Sequence, residues 1–249
     1  MKKVAFLFVA VFVTAALVIP SAKTFVAAQE GSEAVWTQDY ITSVPPIFLR
    51  DPLLEMFGQT ADPIPYTYEE AVKLSGHSCG AVAGAWTITR KALAALYPDE
   101  VPVRGQIVIH APGAEDEWHV GVFGEVMTYL TGAAPHTGFS GAEFGQADQV
   151  FIRRNKLIYA EAATGTPPPQ MQWVFERLDT GKKVGVSFNV MAVQPLVTED
   201  WTKLGVKLAS GAGTPEEIEK YVKWWNDRAL FVLDNADTMD GLFVVKELE

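Results

Sequence analysis

Four histidines and one cysteine are the side chains in this sequence best suited to hold a soft or borderline ion. All five, His77, Cys79, His110, His119 and His136, fall within 60 residues of one another. Imidazole and thiolate are the ligands that zinc, copper, nickel and iron favour. His77 and Cys79 stand two residues apart, a spacing that a regular helix would point about 200° apart, out of reach of a shared ion. Gly76 and Gly80 flank the pair and interrupt the helical pattern, so in a bent loop opening a helix both side chains can converge. A thiol near a helix N-terminus also ionises more readily. The competing reading makes Cys79 a small buried hydrophobe and His77 a packing residue.

The elements that must position these groups follow from periodicity and punctuation. Thr67 with Glu69 and Glu70 predicts a capped helix running to about Leu74. A second helix is expected over Ala81 to Tyr97, its early Ala81, Ala83, Gly84 and Ala85 allowing another backbone close, with Pro98 as its stop. Gln106 to His110 reads as a strand. Trp118 to Leu130 reads as a helix whose apolar stripe includes His119, and Thr131 to Gly145 as a Gly-rich loop carrying His136. Strands are expected at Gln149 to Arg154, Lys156 to Ala162 and Lys183 to Asn189, with a short helix over Gln170 to Leu178. Farther on, Val197 to Leu208 is a helix candidate, and Thr214-Pro215-Glu216-Glu217 is a strong helix start leading through Trp224 and Trp225. Those tryptophans read as one core and one surface aromatic. The fold class expected is α+β: a helix–strand–helix–three-strand unit with a small mixed sheet, an extended N-terminal lead-in and a C-terminal helical extension.

The first 28 residues set the compartment. Lys2 and Lys3 precede 16 residues, Val4 to Ile19, that are apolar apart from Thr14, and Val26 and Ala28 fit the −3 and −1 positions of cleavage before Gln29. A spanning helix needs about 20 residues. A cleaved signal peptide is therefore expected, an uncleaved anchor being the alternative, with the mature protein periplasmic or extracellular and not membrane-spanning. Cleavage would move the formal charge from −10 to −13. So acidic a surface, with no Lys/Arg stripe, argues against nucleic acid and accommodates a metal ion or a small metal-containing ligand. A homodimer is compatible with the sequence. The expected organisation is 1–28 signal peptide, 29–66 lead-in, 67–195 metal-binding domain and 196–249 extension packed on that domain. Cys79 is the only cysteine, so no disulfide can form within the chain, and an exported free thiol needs burial, modification or a metal.

Gly76-His77-Ser78-Cys79-Gly80 followed by Ala81 to Arg90 resembles the Gly-His-x-Cys-Pro-Gly motif and small-residue helix of the FmdE-like family, which takes its name from formylmethanofuran dehydrogenase. Glu125 with Leu130-Thr131-Gly132 is similar to that family's second region. The likeness spans Thr67 to about Ala163. It implies the helix–strand–helix–three-strand fold and a metal, zinc foremost, at His77 and Cys79. The proline after the cysteine is missing, and the family's second cysteine is Ala133 here, which leaves His136 or His119 to replace it. Glu125 is then a group orienting a histidine, or a general base. Three readings stay open: an exported transition-metal-binding protein that handles or senses a metal or metal cofactor, a metal- or thiol-dependent enzyme acting on a small molecule, and a non-catalytic structural or interaction domain. Glu115-Asp116-Glu117 reads as a solvated acidic loop. Neither a Ser/His/Asp signature nor a phosphate loop is present.

Overall fold

Two capping boxes and a run of small residues decide how the helices begin and pack. The computed structural model describes residues 36–117, 119–142, 149–162, 164 and 171–249. The expected signal peptide and its expected cleavage site lie outside the described residues. All the elements below belong to the unit Gln38–Glu249. Among the described residues, no helix is long and apolar enough to cross a membrane.

The lead-in is built of short pieces. Helix α1 (Tyr40–Ser43), strand β1 (Ile47–Leu49), helix α2 (Pro52–Met56) and strand β2 (Ile64–Tyr66) come first, β1 and β2 pairing antiparallel. Asp51 caps α2, and its carboxylate also pairs with Arg153 at 2.6 Å and Arg104 at 3.0 Å, a buried ionic knot joining lead-in to domain. Helix α3 (Tyr68–Ser75) opens with the reciprocal Thr67–Glu70 capping box and closes on Gly76 at φ 72°, a left-handed conformation that glycine adopts without a Cβ penalty. Helix α4 (Gly80–Leu96) follows after three residues.

Strand β3 (Ile107–His110), helix α5 (Val120–Thr131) and strand β4 (Leu157–Ile158) come next, then β5 (Gln172–Arg177), β6 (Lys183–Phe188), α6 (Glu199–Ala209), α7 (Pro215–Asn235) and β7 (Phe243–Leu248). The main sheet has the order β4-β3-β5-β6-β7, with β3 and β4 parallel and every other pair antiparallel. This is an α+β fold with a mixed sheet. Ile107, Ile109, Trp173, Phe175, Val184, Val186 and Phe188 share one buried face by register and period-two alternation. Helix α4 lies on that face: a Cβ at Gly84 would stand 2.5 Å from the Phe188 ring. Helix α5 packs beside it, stacking Phe123 on Trp173 with centroids 5.9 Å apart. Helices α4 and α5 thus cover this face of the sheet.

Several expectations need correction. Gln149 to Arg154 is not a strand: Gln149–Phe151 forms a 3-10 turn, because Arg153 is drawn inside to Asp51 and the Val150 carbonyl. Lys156 to Ala162 shrinks to the two-residue β4, and Lys156 turns its ammonium to the Gly105 and Gln149 carbonyls. Within Gln170 to Leu178, Gln172–Arg177 is strand rather than helix, its Trp173 and Phe175 alternating inward against β3 and β6. Glu117 is not solvated but buried, accepting hydrogen bonds from the Ala114 and Thr164 amides. The C-terminal segment is integral: α7 starts with the Thr214–Glu217 capping box and packs on α4, and β7 completes the sheet.

Candidate functional site

The loop between α3 and α4, residues 76–79, is four residues long and fixed on two sides. The Ser78 hydroxyl and the Tyr68 phenol share a buried hydrogen bond of 2.7 Å, and the Ser78 carbonyl accepts from Trp225 Nε1 at 2.7 Å. With Ser78 turned inward, its two neighbours are left for other partners. Cys79 is the N-cap of α4, extended at φ −156° and ψ 175°; its carbonyl accepts the first helical bond from Ala83, and its thiol makes no cap hydrogen bond. The thiol is buried and free. His77 is exposed, and its Nδ1 lies 3.0 Å from the Ser75 carbonyl. A carbonyl only accepts, so Nδ1 is the donor here, and in the neutral tautomer this leaves the Nε2 lone pair free. Metal-bound histidines have this arrangement, one ring nitrogen donating to a backbone carbonyl and the other free to ligate.

His77 and Cys79 open onto a cavity of about 370 Å³. His119 lines it too, as the N-cap of α5 rather than within the helix, since α5 starts only at Val120. Two helix N-termini therefore point at the same space. The apolar walls come from Ile88 of α4, Val120 and Phe123 of α5, Met171 and Trp173 at β5, Phe188 of β6, and Val190 and Val193 after it. Helix α7 closes the remaining side with Trp225 and Arg228, the Trp225 ring lying 5.8 Å from that of His77.

Electrostatics differ sharply across this space. His119 is exposed, yet the apolar surroundings hold its pKa below the usual imidazole value, with the Arg228 guanidinium adding to the depression. At neutral pH it is an uncharged donor. Burial also lowers the Arg228 pKa, a thiolate at Cys79 being the largest effect in the other direction. Arg228 therefore lies within electrostatic reach of Cys79, on the side of the cavity facing the α4 N-terminus.

The other sequence candidates lie elsewhere. His136 is exposed in the turn after Pro135 and does not line the cavity. His110 falls on the opposite face of the sheet from Ile109, its Nε2 4.0 Å from Glu176 Oε2. Glu125 is exposed on α5, away from the cavity wall, with Tyr159 feeling its charge. Trp224 is core, as expected, whereas Trp225 is a cavity wall rather than a surface aromatic. Nothing in the sequence around Arg228 and Trp225 marks them as site residues. Among the described residues, no three or more of His, Cys, Asp and Glu stand close enough together to share a metal ion. His77, Cys79 and His119 border one cavity without forming a closed cage. No protein-family model and no curated protein matches the chain.

Proposed function

We propose that this is an exported transition-metal-binding protein in which His77 and Cys79 take up a zinc-like ion at the mouth of an apolar pocket, and His119, which borders the same cavity but does not yet stand within sharing distance, is drawn in as third donor when the ion binds. The observation that carries the reading is that residues far apart in the chain, the glycine-flanked His77/Cys79 pair and His119, border one cavity. The donor chemistry fits: a free thiol at a helix N-terminus, an imidazole with Nε2 available, and a second imidazole kept neutral. The likeness of the Gly76–Gly80 motif to the FmdE-like family supports the same assignment. His136 and Glu125 fall outside the proposed ligand set.

Bound there, the metal would supply Lewis acidity beside a space that admits a small molecule, which is how handling a metal-containing ligand and chemistry on a substrate become alternatives at one site. The protein's part is to orient the His77 ring through the Ser75 carbonyl, anchor the loop through Ser78, and exclude water with Phe123, Trp173 and Phe188.

Elemental analysis and zinc titration of the purified protein test this. Close to one equivalent is expected, and Cys79→Ala should abolish tight binding while costing the metal-free fold only about 1 kcal/mol, on the order of a buried methylene. Unchanged zinc uptake in that variant would refute the assignment. Export has its own check, N-terminal sequencing of secreted protein, which should read from Gln29; a full-length, membrane-retained product would overturn it.

A further inference from the structure

The same cavity has a second property that the metal does not account for. The chain has seven arginines and a formal charge of −10. Arg50, Arg90, Arg104, Arg153 and Arg177 pair with carboxylates, and Arg154 donates to the Gly138 carbonyl. Arg228 alone makes no hydrogen bond or ion pair among the described residues, and its Nε is buried without a partner. Its guanidinium carbon lies 5.1 Å from the Trp224 ring centroid and 6.0 Å from that of Trp225. These contacts hold the group in place but leave its N–H donors unused.

The surroundings are selective. Among the described residues neither Asp nor Glu lines this cavity, in a chain with 30 acidic residues. Lysine is likewise absent from the described wall, so one guanidinium is its only permanent charge. The α4 and α5 N-termini add positive potential from the same side. Beyond them the walls are aliphatic and aromatic: Ile88, Val120, Phe123, Trp173 and Phe188. The volume of about 370 Å³ is at the small end of ligand pockets.

We infer that this cavity binds a small carboxylate with an apolar body, the carboxylate pairing with Arg228 and the body lying against Phe123, Trp173 and Phe188. A planar guanidinium matches a carboxylate through two parallel N–H···O bonds. A single fixed cation balances a monoanion, whereas a phosphate dianion would need further cations that the described wall does not provide. The apolar walls are offered to the rest of the molecule, and a neutral chain of the same length would bury them equally while leaving Arg228 unpaired. The inference concerns the pocket of the proposed metal site but does not depend on the metal.

Titration of chelator-treated, full-length mature protein with octanoate and with 1-octanol, followed by calorimetry and by tryptophan fluorescence, tests it. Octanoate is expected to bind at least tenfold more tightly than the alcohol, with a gap that narrows as salt is raised. Arg228→Gln should erase that gap, and Arg228→Lys should retain part of it. Equal binding of the two probes, tighter binding of the alcohol, or no binding of either would overturn the proposal. If Arg228→Gln fails to fold, the gap and its salt dependence in the parent protein still decide. Zinc is absent from these titrations, so failure of the metal reading and failure of this one are separable.

Discussion

Gly84 is where helix packing and the pocket meet, and its substitution by alanine should be harmful for a reason that can be measured. A Cβ there would stand 2.5, 2.8 and 3.3 Å from three atoms of the Phe188 ring. That ring is buried and stacked on Phe243 at 4.6 Å and 7°, with Phe123 6.4 Å away, so it cannot swing aside as a flexible chain end would. Forcing a methyl into a packed core costs about 1–3 kcal/mol. Alanine in place of glycine within a helix returns up to ~1 kcal/mol. A net loss of about 1 kcal/mol is expected, read as a lower denaturation midpoint at unchanged m-value. Phe188 is also a pocket wall, so the displaced ring should weaken octanoate binding even where the protein remains folded. Phe188→Leu makes room, and the double variant should be more stable than the sum of the single losses allows, by 0.5 kcal/mol or more in the terms of a double-mutant cycle (roughly the threshold for coupled neighbours). A Gly84→Ala protein as stable as its parent would refute the steric argument.

Two other expectations probe the site loop and its charge. Trp225→Phe removes the donor to the Ser78 carbonyl and should cost about 1–2 kcal/mol of stability; it should also weaken zinc binding several-fold by loosening His77 and Cys79, and unchanged zinc affinity would mean that the loop does not need this tether. His119 has a folded-state pKa below its unfolded value, so it adds nothing to pH dependence above about 6.5. As pH falls below that value the unfolded chain takes up a proton that the folded protein refuses, and stability is lost. Denaturation midpoints should therefore drop faster between pH 7 and 5 for the parent than for His119→Gln, and parallel curves would show that the imidazole is not so perturbed.

What can be read from the sequence is mostly local. The Thr67–Glu70 and Thr214–Glu217 boxes lie within one turn each, and their caps form where the residues predict them. The small residues opening α4 do admit a neighbour, since a Cβ at Gly80 would stand 3.9 Å from the Arg228 carbonyl. The strand Gln172–Arg177 carries a local signal too, for Trp173 and Phe175 alternate with half-buried residues, and that period of two, with the short length, argues for a strand over the helix expected there. Gln149 to Arg154 goes the other way: its apolar residues look like a strand, and only the distant Asp51 explains why Arg153 is pulled inside. The pocket divides along the same line. Glycines around His77 and Cys79 mark a break in the helix, whereas nothing near Arg228 tells that it faces residues some 150 positions earlier.

Charge ties the two proposals together. A divalent ion held by one thiolate and two neutral imidazoles leaves a net single positive charge at the ligands, facing a guanidinium that already lacks a counter-ion among the described residues. Like charges in so apolar a space repel strongly, because the local dielectric is low. A negative charge at Cys79 acts favourably on the guanidinium, but once a metal has neutralised that charge the guanidinium becomes an obstacle. A carboxylate between them removes it, pairing with Arg228 and offsetting the charge at the metal. Binding of anion and metal must then be mutually reinforcing, and thermodynamic linkage requires the same factor in both directions: zinc tightens octanoate by as much as octanoate tightens zinc. A pocket that bound the ion alone would gain by replacing Arg228 with a carboxylate. The arginine makes sense where the ion comes with, or waits for, an anionic organic partner whose body fills the space between Trp173 and Phe188.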